Sequence, residues 1–242
     1  MPGCLALTAM WLVPVAPAVE ADQLFETGNK LYEERKYPEA AAAYETILAA
    51  GHASPAIYFN LGNAYFKASQ TGRALVAYRR AEQLTRRDPD VRANLQFARN
   101  QVEGPTLRPT RWQRAFGTLS LNEWAALSGA GLWLTFTLLA LSQLRPAWKP
   151  SLRAVTILTG GGTLLVALCL IVSLTSNGAT KTVIVTVKDV FVRNGPLDES
   201  QSAFTAHDGA ELRVLDHKDE WLQVTDGTRR SGWLKRSEVA TR

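Results

Sequence analysis

Cysteine and histidine are scarce in this chain of 242 residues, which contains two cysteines and three histidines. Cys4 lies near the N-terminus and Cys169 lies in a long apolar run, so they provide neither a disulfide framework nor a metal site. His52, His207 and His217 are far apart in the sequence. No Ser/His/Asp or Cys/His set, no phosphate-binding glycine loop and no metal-ligand spacing is recognisable in the sequence. We therefore predict a protein that is not an enzyme and that uses no cofactor or metal.

Charge of one sign is not concentrated in any part of the chain. The formal net charge of +5 is modest, and the basic residues are dispersed in short clusters such as Arg79/Arg80 and Arg86/Arg87. A nucleic-acid-binding domain would present a concentrated basic face together with aromatic side chains for base stacking. The composition therefore argues against nucleic acid as a partner.

Charged residues are absent from two long apolar stretches, at 125–144 and 154–180. A helix needs about 20 residues to cross a hydrocarbon core of about 30 Å. We predict a transmembrane hairpin with helices at 124–144 and 154–176, so that the chain before and after the hairpin lies in one compartment. Neither helix contains an ionisable residue, which argues against transport or proton relay through the membrane.

The orientation of the hairpin depends on the first residues of the chain. The loop at 145–153 has three basic and no acidic residues, which is typical of a cytoplasmic loop, but arginines at 108, 111 and 114 balance it. Residues 1–21 form a short apolar run that ends in Val19-Glu20-Ala21, a pattern typical of a signal peptide. This predicts the inner membrane, with both end domains on the periplasmic side. An uncleaved anchor and a start site placed too far downstream are alternatives, because no basic residue precedes the apolar run.

A juxtamembrane linker at 103–123 leads into the first spanning helix. Its aromatic and basic side chains are typical of the headgroup layer, so membrane lipid is a predicted partner; they are Arg111, Trp112, Arg114 and Phe116. Ser120 and Glu123 have the spacing of a capping box at a helix start. Glycines at 129, 131 and 160–162 permit close helix packing, either within the hairpin or against other membrane subunits.

An internal repeat organises residues 22–102. Glycine, alanine and tyrosine residues recur after 34 positions: Gly28, Ala40 and Tyr44 correspond to Gly62, Ala74 and Tyr78. This period predicts two helix-turn-helix units of the tetratricopeptide type at 24–51 and 58–85. A further helix at 90–102 continues the register and is predicted to cap the open face of the second unit.

The first helix of each repeat should line a concave groove for a peptide or a partner helix. The candidate contacts are two phenylalanines and four asparagines, namely Phe25, Asn29, Phe59, Asn60, Asn63 and Asn94. In the alternative interpretation, the asparagines belong to the general repeat consensus and form local hydrogen bonds. A groove for a C-terminal carboxylate, as in chaperone-binding repeats, would need cations where Phe25, Asp90 and Asn94 stand.

Residues 181–242 contain short β segments separated by turn-forming stretches, which predicts a small barrel. The segment resembles the bacterial SH3 (SH3b) family at eleven positions: Val190, Val192, Arg193, Gly195, Pro196, Gly209, Val214, Trp221, Val224, Gly232 and Trp233. The resemblance implies a protein ligand or a cell-wall peptide. Trp221 and Trp233 are candidates for stacking on that ligand, or they form the main mass of the barrel core.

The order of these parts predicts a multi-domain fold, with an all-α tetratricopeptide repeat, a two-helix transmembrane hairpin and a small all-β SH3-like barrel. The whole chain resembles the BatE-type proteins of the bacterial aerotolerance operon. That resemblance implies a membrane-anchored scaffold in a stress-related complex, with von Willebrand factor A membrane proteins and a MoxR-type ATPase as partners. The alternatives are a sensor that binds peptidoglycan and an accessory subunit of a wall hydrolase.

Overall fold

The computed structural model describes residues 18–104, 107, 119–179 and 181–241. These residues form a set of short helices, a hairpin of two long apolar helices and an antiparallel sheet. The predicted multi-domain fold class is therefore confirmed. Most of the predicted leader at 1–21 and of the linker at 103–123 lies outside the described residues, including the four linker residues assigned to the headgroup layer.

Five short helices make up the described N-terminal region. They are α1 (Ala18–Glu33), α2 (Tyr37–Ala49), α3 (Pro55–Lys67), α4 (Thr71–Leu84) and α5 (Pro89–Asn100). The side-chain oxygens of Ser54 and Asp88 cap α3 and α5, and a proline follows each of them. An oxygen at the cap accepts a free backbone N–H and proline presets the helical φ, so these residues fix where the two helices begin.

The 34-residue repeat determines how these helices pack. A Cβ atom added at Gly28 would lie 2.7 Å from the Tyr44 ring, and one added at Gly62 would lie 2.6 Å from the Tyr78 ring. The two tyrosines are almost completely buried. Glycine at the crossing point therefore lets each ring fill the space against the preceding helix, which is why the two residue types recur together.

The hairpin consists of α6 (Leu121–Leu144) and α7 (Lys149–Ala179), joined by a 3-10 turn. The capping box predicted at Ser120 and Glu123 is present: the Ser120 side chain accepts from the Glu123 N–H, and the Glu123 carboxylate accepts from the Ser120 N–H. It fixes the start of α6. A Cβ atom added at Gly131 would lie 2.6 Å from the Thr163 hydroxyl, so α6 and α7 approach closely there.

Large apolar side chains cover the outside of the hairpin. Trp133 is 77% exposed and Leu158 is 74% exposed. Exposure on this scale, around helices that are apolar on all sides, is typical of contact with lipid rather than water. By length and composition, Leu121–Leu144 and Pro146–Leu174 are each able to cross a membrane.

The C-terminal region is one antiparallel sheet with the strand order β3-β2-β6-β5-β4-β1-β7. The strands are β1 (Thr182–Val185), β2 (Asp189–Arg193), β3 (Ser202–His207), β4 (Glu211–Lys218), β5 (Trp221–Thr225), β6 (Ser231–Lys235) and β7 (Val239–Thr241). Alternate residues of the strands form an aliphatic core that includes Val185, Val192, Val224 and Leu234. One face of each strand therefore supplies the core.

Strand β1 belongs to two cores at once. Val183 and Val185 are buried in the core of the sheet, whereas Ile184 is 0% exposed and lies in the core cluster of the helical repeats. Successive side chains of a strand point to opposite faces, so one strand can serve both sides. The helical repeats and the sheet therefore form one packed unit, and the hairpin is inserted in the chain between its two parts.

Candidate functional site

The predicted groove residues lie together along α1, α3 and α5. The Asn29 Oδ1 atom accepts hydrogen bonds from the Tyr44 hydroxyl at 2.8 Å and from the Asn60 amide nitrogen at 3.1 Å. Burial raises the pKa of Tyr44 to about 12, so its hydroxyl remains a proton donor. The first repeat thus holds the side chain of Asn29 in one orientation and links it to the next repeat.

The second repeat contains the same arrangement. The Asn63 Oδ1 atom accepts from the Tyr78 hydroxyl at 2.7 Å and from the Asn94 amide nitrogen at 3.0 Å. Burial also raises the pKa of Tyr78. The four asparagines therefore take part in hydrogen bonds both within a repeat and between successive repeats. Because these bonds cross from α1 to α3 and from α3 to α5, they form a regular ladder along the groove.

The ladder leaves part of each amide available to a ligand. Among the described residues, no hydrogen bond uses the Nδ2 group of Asn29 or Asn63, or the Oδ1 atom of Asn60 or Asn94. All four side chains are partly exposed. A peptide backbone has N–H donors and C=O acceptors, so a site that binds it needs acceptor and donor groups in turn. The groove can provide both, with orientations fixed by the ladder.

Phe25 and Phe59 complete the two equivalent sets. The Phe25 ring lies 5.9 Å from the Tyr44 ring and the Phe59 ring lies 6.1 Å from the Tyr78 ring, measured between centroids. Both phenylalanines are partly exposed, so they add apolar surface beside the asparagines. The structure therefore brings all six predicted groove residues into one continuous surface.

A small cleft opens at the end of this surface near α1. Its volume is about 300 Å³ and its lining residues are Ala21, Asp22, Phe25, His52, Ser54, Ala56 and Ile57. The Nε2 atom of His52 is buried and has no hydrogen-bond partner among the described residues. Sequence reasoning missed this histidine, which lies in the α2–α3 turn and gives no periodic signal.

Trp221 and Trp233 lie on the outer face of the β5–β6 hairpin. Leu222 and Leu234 pair on the core face, so the alternate residues Trp221 and Trp233 point away from that core. Trp221 is nevertheless buried, and the Lys235 amine lies 5.3 Å from its ring centroid. Trp233 is partly exposed. The core cluster of the sheet is aliphatic apart from Phe204 and contains neither tryptophan. We call the outer face that carries Trp221 and Trp233 the aromatic surface.

Lys235 connects this aromatic surface to the loop between β2 and β3. Its Nζ atom donates to the Asp198 carboxylate at 2.8 Å, which raises the pKa of Lys235. A cation over an indole ring is held by the ring's electron-rich face. The loop, the lysine and the ring therefore form one connected face that a ligand can meet.

The junction between α4 and the sheet was not among the features predicted from the sequence. The Glu211 carboxylate lies 2.6 Å from a guanidinium nitrogen of Arg79 and 2.8 Å from Nε of Arg99. The Arg79 and Glu211 side chains are 6% and 7% exposed. Buried charges require a partner of opposite charge, so this ion pair ties the repeats to the barrel.

A second polar contact of the junction involves the start of α4. The backbone N–H of Gly72 donates to the Asp208 carboxylate at 3.0 Å, whereas Gln70 at the cap position of α4 provides no side-chain hydrogen bond. The carboxylate therefore caps a helix that is 136 residues away in the sequence. Burial raises the pKa of Asp208, and backbone N–H groups partly offset this effect.

Comparison with known proteins identifies the C-terminal region. Residues 186–240 match the family described as "Bacterial SH3 domain", which confirms the predicted SH3b domain there. The search of curated proteins finds no match. A solved structure described as "First TPR of Spaghetti (RPAP3) bound to HSP90 peptide SRMEEVD" is 26% identical over 36% of this chain and 69% of that chain, with a TM-score of 0.34.

The fold defines the class of protein. Tetratricopeptide-like helices, assigned from the 34-residue period and the packing of Tyr44 and Tyr78, are followed by two apolar helices and a bacterial SH3 domain. Such helical repeats and SH3b domains are typically binding modules without catalytic function. The apolar helices are compatible with two membrane spans.

Proposed function

We propose that this protein is a non-enzymatic scaffold, anchored in a membrane by its hairpin, that binds a partner protein in the groove along α1, α3 and α5. The observation that carries this proposal is the asparagine ladder. Asn29 and Asn63 have equivalent partners in successive repeats, and within the described part of the chain each has an Nδ2 group that forms no hydrogen bond. A preorganised row of amides reduces the entropy lost when a peptide or helix binds.

The proposed partner is a membrane protein of the von Willebrand factor A type, in a complex that includes a MoxR-type ATPase, as in aerotolerance complexes. The resemblance of the whole chain to BatE-type proteins supports this choice. The hairpin also supports it, because a scaffold that is confined to the membrane meets other membrane proteins at a high effective concentration. The four groove asparagines and Phe25 and Phe59 would form the contacts.

A photo-crosslinking amino acid at Phe59 tests this function in native membranes. We expect an adduct with a von Willebrand factor A membrane protein, identified by mass spectrometry. The matched control places the same amino acid at Gln83, which is exposed on α4. An adduct that forms equally from both positions, or no adduct from Phe59, would contradict the proposal.

We further propose that the hairpin lies in the inner membrane and that the unit formed by the repeats and the barrel faces the periplasm. Bacterial SH3 domains are typically extracytoplasmic, and the apolar leader supports export. Cysteine substitution of the exposed Lys218, followed by a membrane-impermeant maleimide applied to intact spheroplasts, measures the orientation. Labelling before lysis is expected. Labelling only after lysis would place both domains in the cytoplasm.

A second candidate function is binding of peptidoglycan or a wall peptide, alone or as an accessory subunit of a wall hydrolase. The partly exposed Trp233 beside Trp221 favours this function, because aromatic faces stack on sugar rings and peptide side chains. The test is sedimentation of the purified full chain in detergent with isolated sacculi. Binding that Trp233→Ala abolishes would support it, and no sedimentation would exclude it. Loss of this binding leaves the crosslinking result unaffected, so the two functions are separable.

A further inference from the structure

A second cleft lies on the opposite side of the repeats from the groove. Its volume is about 290 Å³, and it is lined by Glu45, Tyr58, Leu61, Tyr65, Arg73, Val76, Ala77, Arg80, Thr186 and Ala240. The α3 residues that line it alternate with those of the groove, so one helix serves two separate surfaces. We call this site the junction cleft, because helices α2–α4 border it together with strand β7 and with Thr186, which directly follows β1. Its volume is close to the lower end of the range for ligand sites, about 300 Å³.

The junction cleft has an apolar floor and a basic rim. Leu61 and Ala77 are 5% and 3% exposed and form the floor together with Val76. Arg73 and Arg80 are exposed at the rim. Neither arginine forms an ion pair with another residue in the described part of the chain. Their guanidinium groups are therefore available for a carboxylate, which they bind through two parallel hydrogen bonds.

The acidic residue of the lining does not neutralise this rim. The Glu45 carboxylate accepts a hydrogen bond from the Tyr65 hydroxyl. Burial, followed by this hydrogen bond, raises the pKa of Tyr65 to about 12, so the hydroxyl keeps its proton. The guanidinium of Arg73 lies 5.6 Å from the centroid of the same ring, which holds it over the cleft. The cleft therefore presents net positive charge to a ligand.

The spacing of the arginines and the position of β7 indicate an extended ligand. Arg73 and Arg80 are two helical turns apart on α4, a rise of about 10 Å, which an extended chain covers in roughly three residues. Strand β7 ends the sheet and contributes Ala240 to the cleft. In the described chain one edge of β7 has no neighbouring strand, and a free edge can pair with the main chain of an added peptide.

We infer that the junction cleft binds an extended acidic segment of a partner protein, with carboxylates on Arg73 and Arg80 and an apolar side chain on the floor formed by Leu61 and Ala77. Charge complementarity identifies the occupant as acidic, and the free edge of β7 identifies it as a peptide strand. The inference depends on the proposed scaffold function for the nature of the partner. It does not depend on the groove.

The test uses the full chain in detergent micelles and two pools of fluorescent octapeptides. One pool has glutamate at positions 3, 5 and 7, which share one face of a strand, with apolar residues between them; the other has glutamine at those positions. Fluorescence anisotropy measures binding. We expect the glutamate pool to bind at least about tenfold more tightly than the glutamine pool, since two arginine contacts supply about this difference.

Two variants connect this binding to the cleft. R73Q/R80Q should weaken binding of the glutamate pool about tenfold. The matched control K67Q/R86Q also removes two exposed cations but lies outside the cleft, and it should have no effect. Ala240→Trp should also weaken binding, because the indole would fill the cleft from the side of the sheet. Circular dichroism confirms that each variant is folded.

Equal binding of the two pools would overturn the inference, and so would equal effects of R73Q/R80Q and K67Q/R86Q. The crosslink from Phe59 separates this failure from failure of the proposed function. If the cleft alone is wrong, the Phe59 adduct with the membrane partner persists while the pools do not discriminate. If the groove function alone is wrong, the glutamate pool still binds and R73Q/R80Q still weakens it.

Discussion

The junction between the repeats and the barrel differs from the hairpin in the kind of surface it buries. At the junction, a strand side chain, a glycine and charged groups from distant parts of the sequence are packed together, with Ile184 and Glu211 almost fully buried. The two hairpin helices are neighbours in the sequence and pack on each other through small residues such as Gly131. Their remaining apolar surface is exposed. One region is specified by particular contacts and the other by general hydrophobicity.

This difference indicates how the molecule is organised. The hairpin is inserted within one folded unit and does not act as a flexible spacer between independent domains. Helix α7 ends at Ala179 and β1 begins at Thr182, and the Arg87 guanidinium lies 2.9 Å from the Glu123 carboxylate at the start of α6. Both ends of the hairpin are therefore close to the packed unit. The groove and the aromatic surface should therefore keep a fixed relation to each other.

Substitution of Glu211 should break this organisation most strongly. Glu211→Ala removes the carboxylate that Arg79 and Arg99 contact, and loss of one member of a buried ion pair costs about 3–5 kcal/mol. We expect faster hydrogen exchange in β1 and α4 and a lower free energy of unfolding for the full chain in micelles. Asp216→Ala, at an exposed position of the same strand, is the control. Similar exchange in both variants would show that the junction does not depend on the ion pair.

A methyl group at Gly72 should also separate the barrel from the repeats. The free energy of unfolding should fall by less than in Glu211→Ala. The added Cβ of Gly72→Ala would lie 2.0 Å from the backbone oxygen of Val185, which cannot rotate away. Overpacking of this kind typically costs about 1–3 kcal/mol. We expect the β1 amides to lose protection from hydrogen exchange, while circular dichroism shows that helix and strand content is retained.

Gly162→Ala provides the comparison in the hairpin. A Cβ atom added at Gly162 has no neighbour within 4 Å among the described residues, so this variant should leave exchange in β1 unchanged. If Gly72→Ala and Gly162→Ala have the same effect on hydrogen exchange in β1, the close approach of α4 to β1 does not determine how the barrel packs on the repeats. The pair of substitutions thus compares a specific contact with an open position in a helix of the hairpin.

The sequence predicted the parts of the fold that depend on local patterns. The 34-residue period located the repeats, the capping box located the start of α6 at Ser120, and the run of family residues located the SH3b domain. These features are visible because each arises within one segment. The six groove residues were also found together, since the repeat places equivalent residues on one face.

The junction was not predicted, because each of its residues has an ordinary local interpretation. Arg79 resembles its exposed neighbour Arg80 in the sequence, and Asp208 belongs to a turn. Ile184 is one of several alternating β-branched residues. Only tertiary packing gives these residues their roles. The absence of a side-chain cap at the start of α4 was a weak signal, since a helix without its own cap requires another acceptor.

The contact of Asp208 with α4 should make docking depend on pH. Burial raises the pKa of Asp208 above its usual 3.8, although the N–H groups of Gly72, Thr71 and Gly209 and the nearby Arg73 act in the opposite direction. A raised pKa means that the stability contributed by this group is fully present below the unfolded value and is lost as pH rises through the folded value. Acidification from neutral pH should therefore raise the free energy of unfolding, because the buried carboxyl group is neutral below its folded pKa and no longer carries a desolvated charge.

Asp208→Asn keeps an oxygen that can accept from Gly72 and carries no charge. Relative to the native chain, the free energy of unfolding of this variant should be highest near pH 7, and its advantage should shrink towards pH 4. Asp219→Asn, at an exposed carboxylate between β4 and β5, is the control for a general effect of charge. An advantage of Asp208→Asn that stays constant or grows on acidification would show that the backbone hydrogen bonds outweigh burial at this helix start.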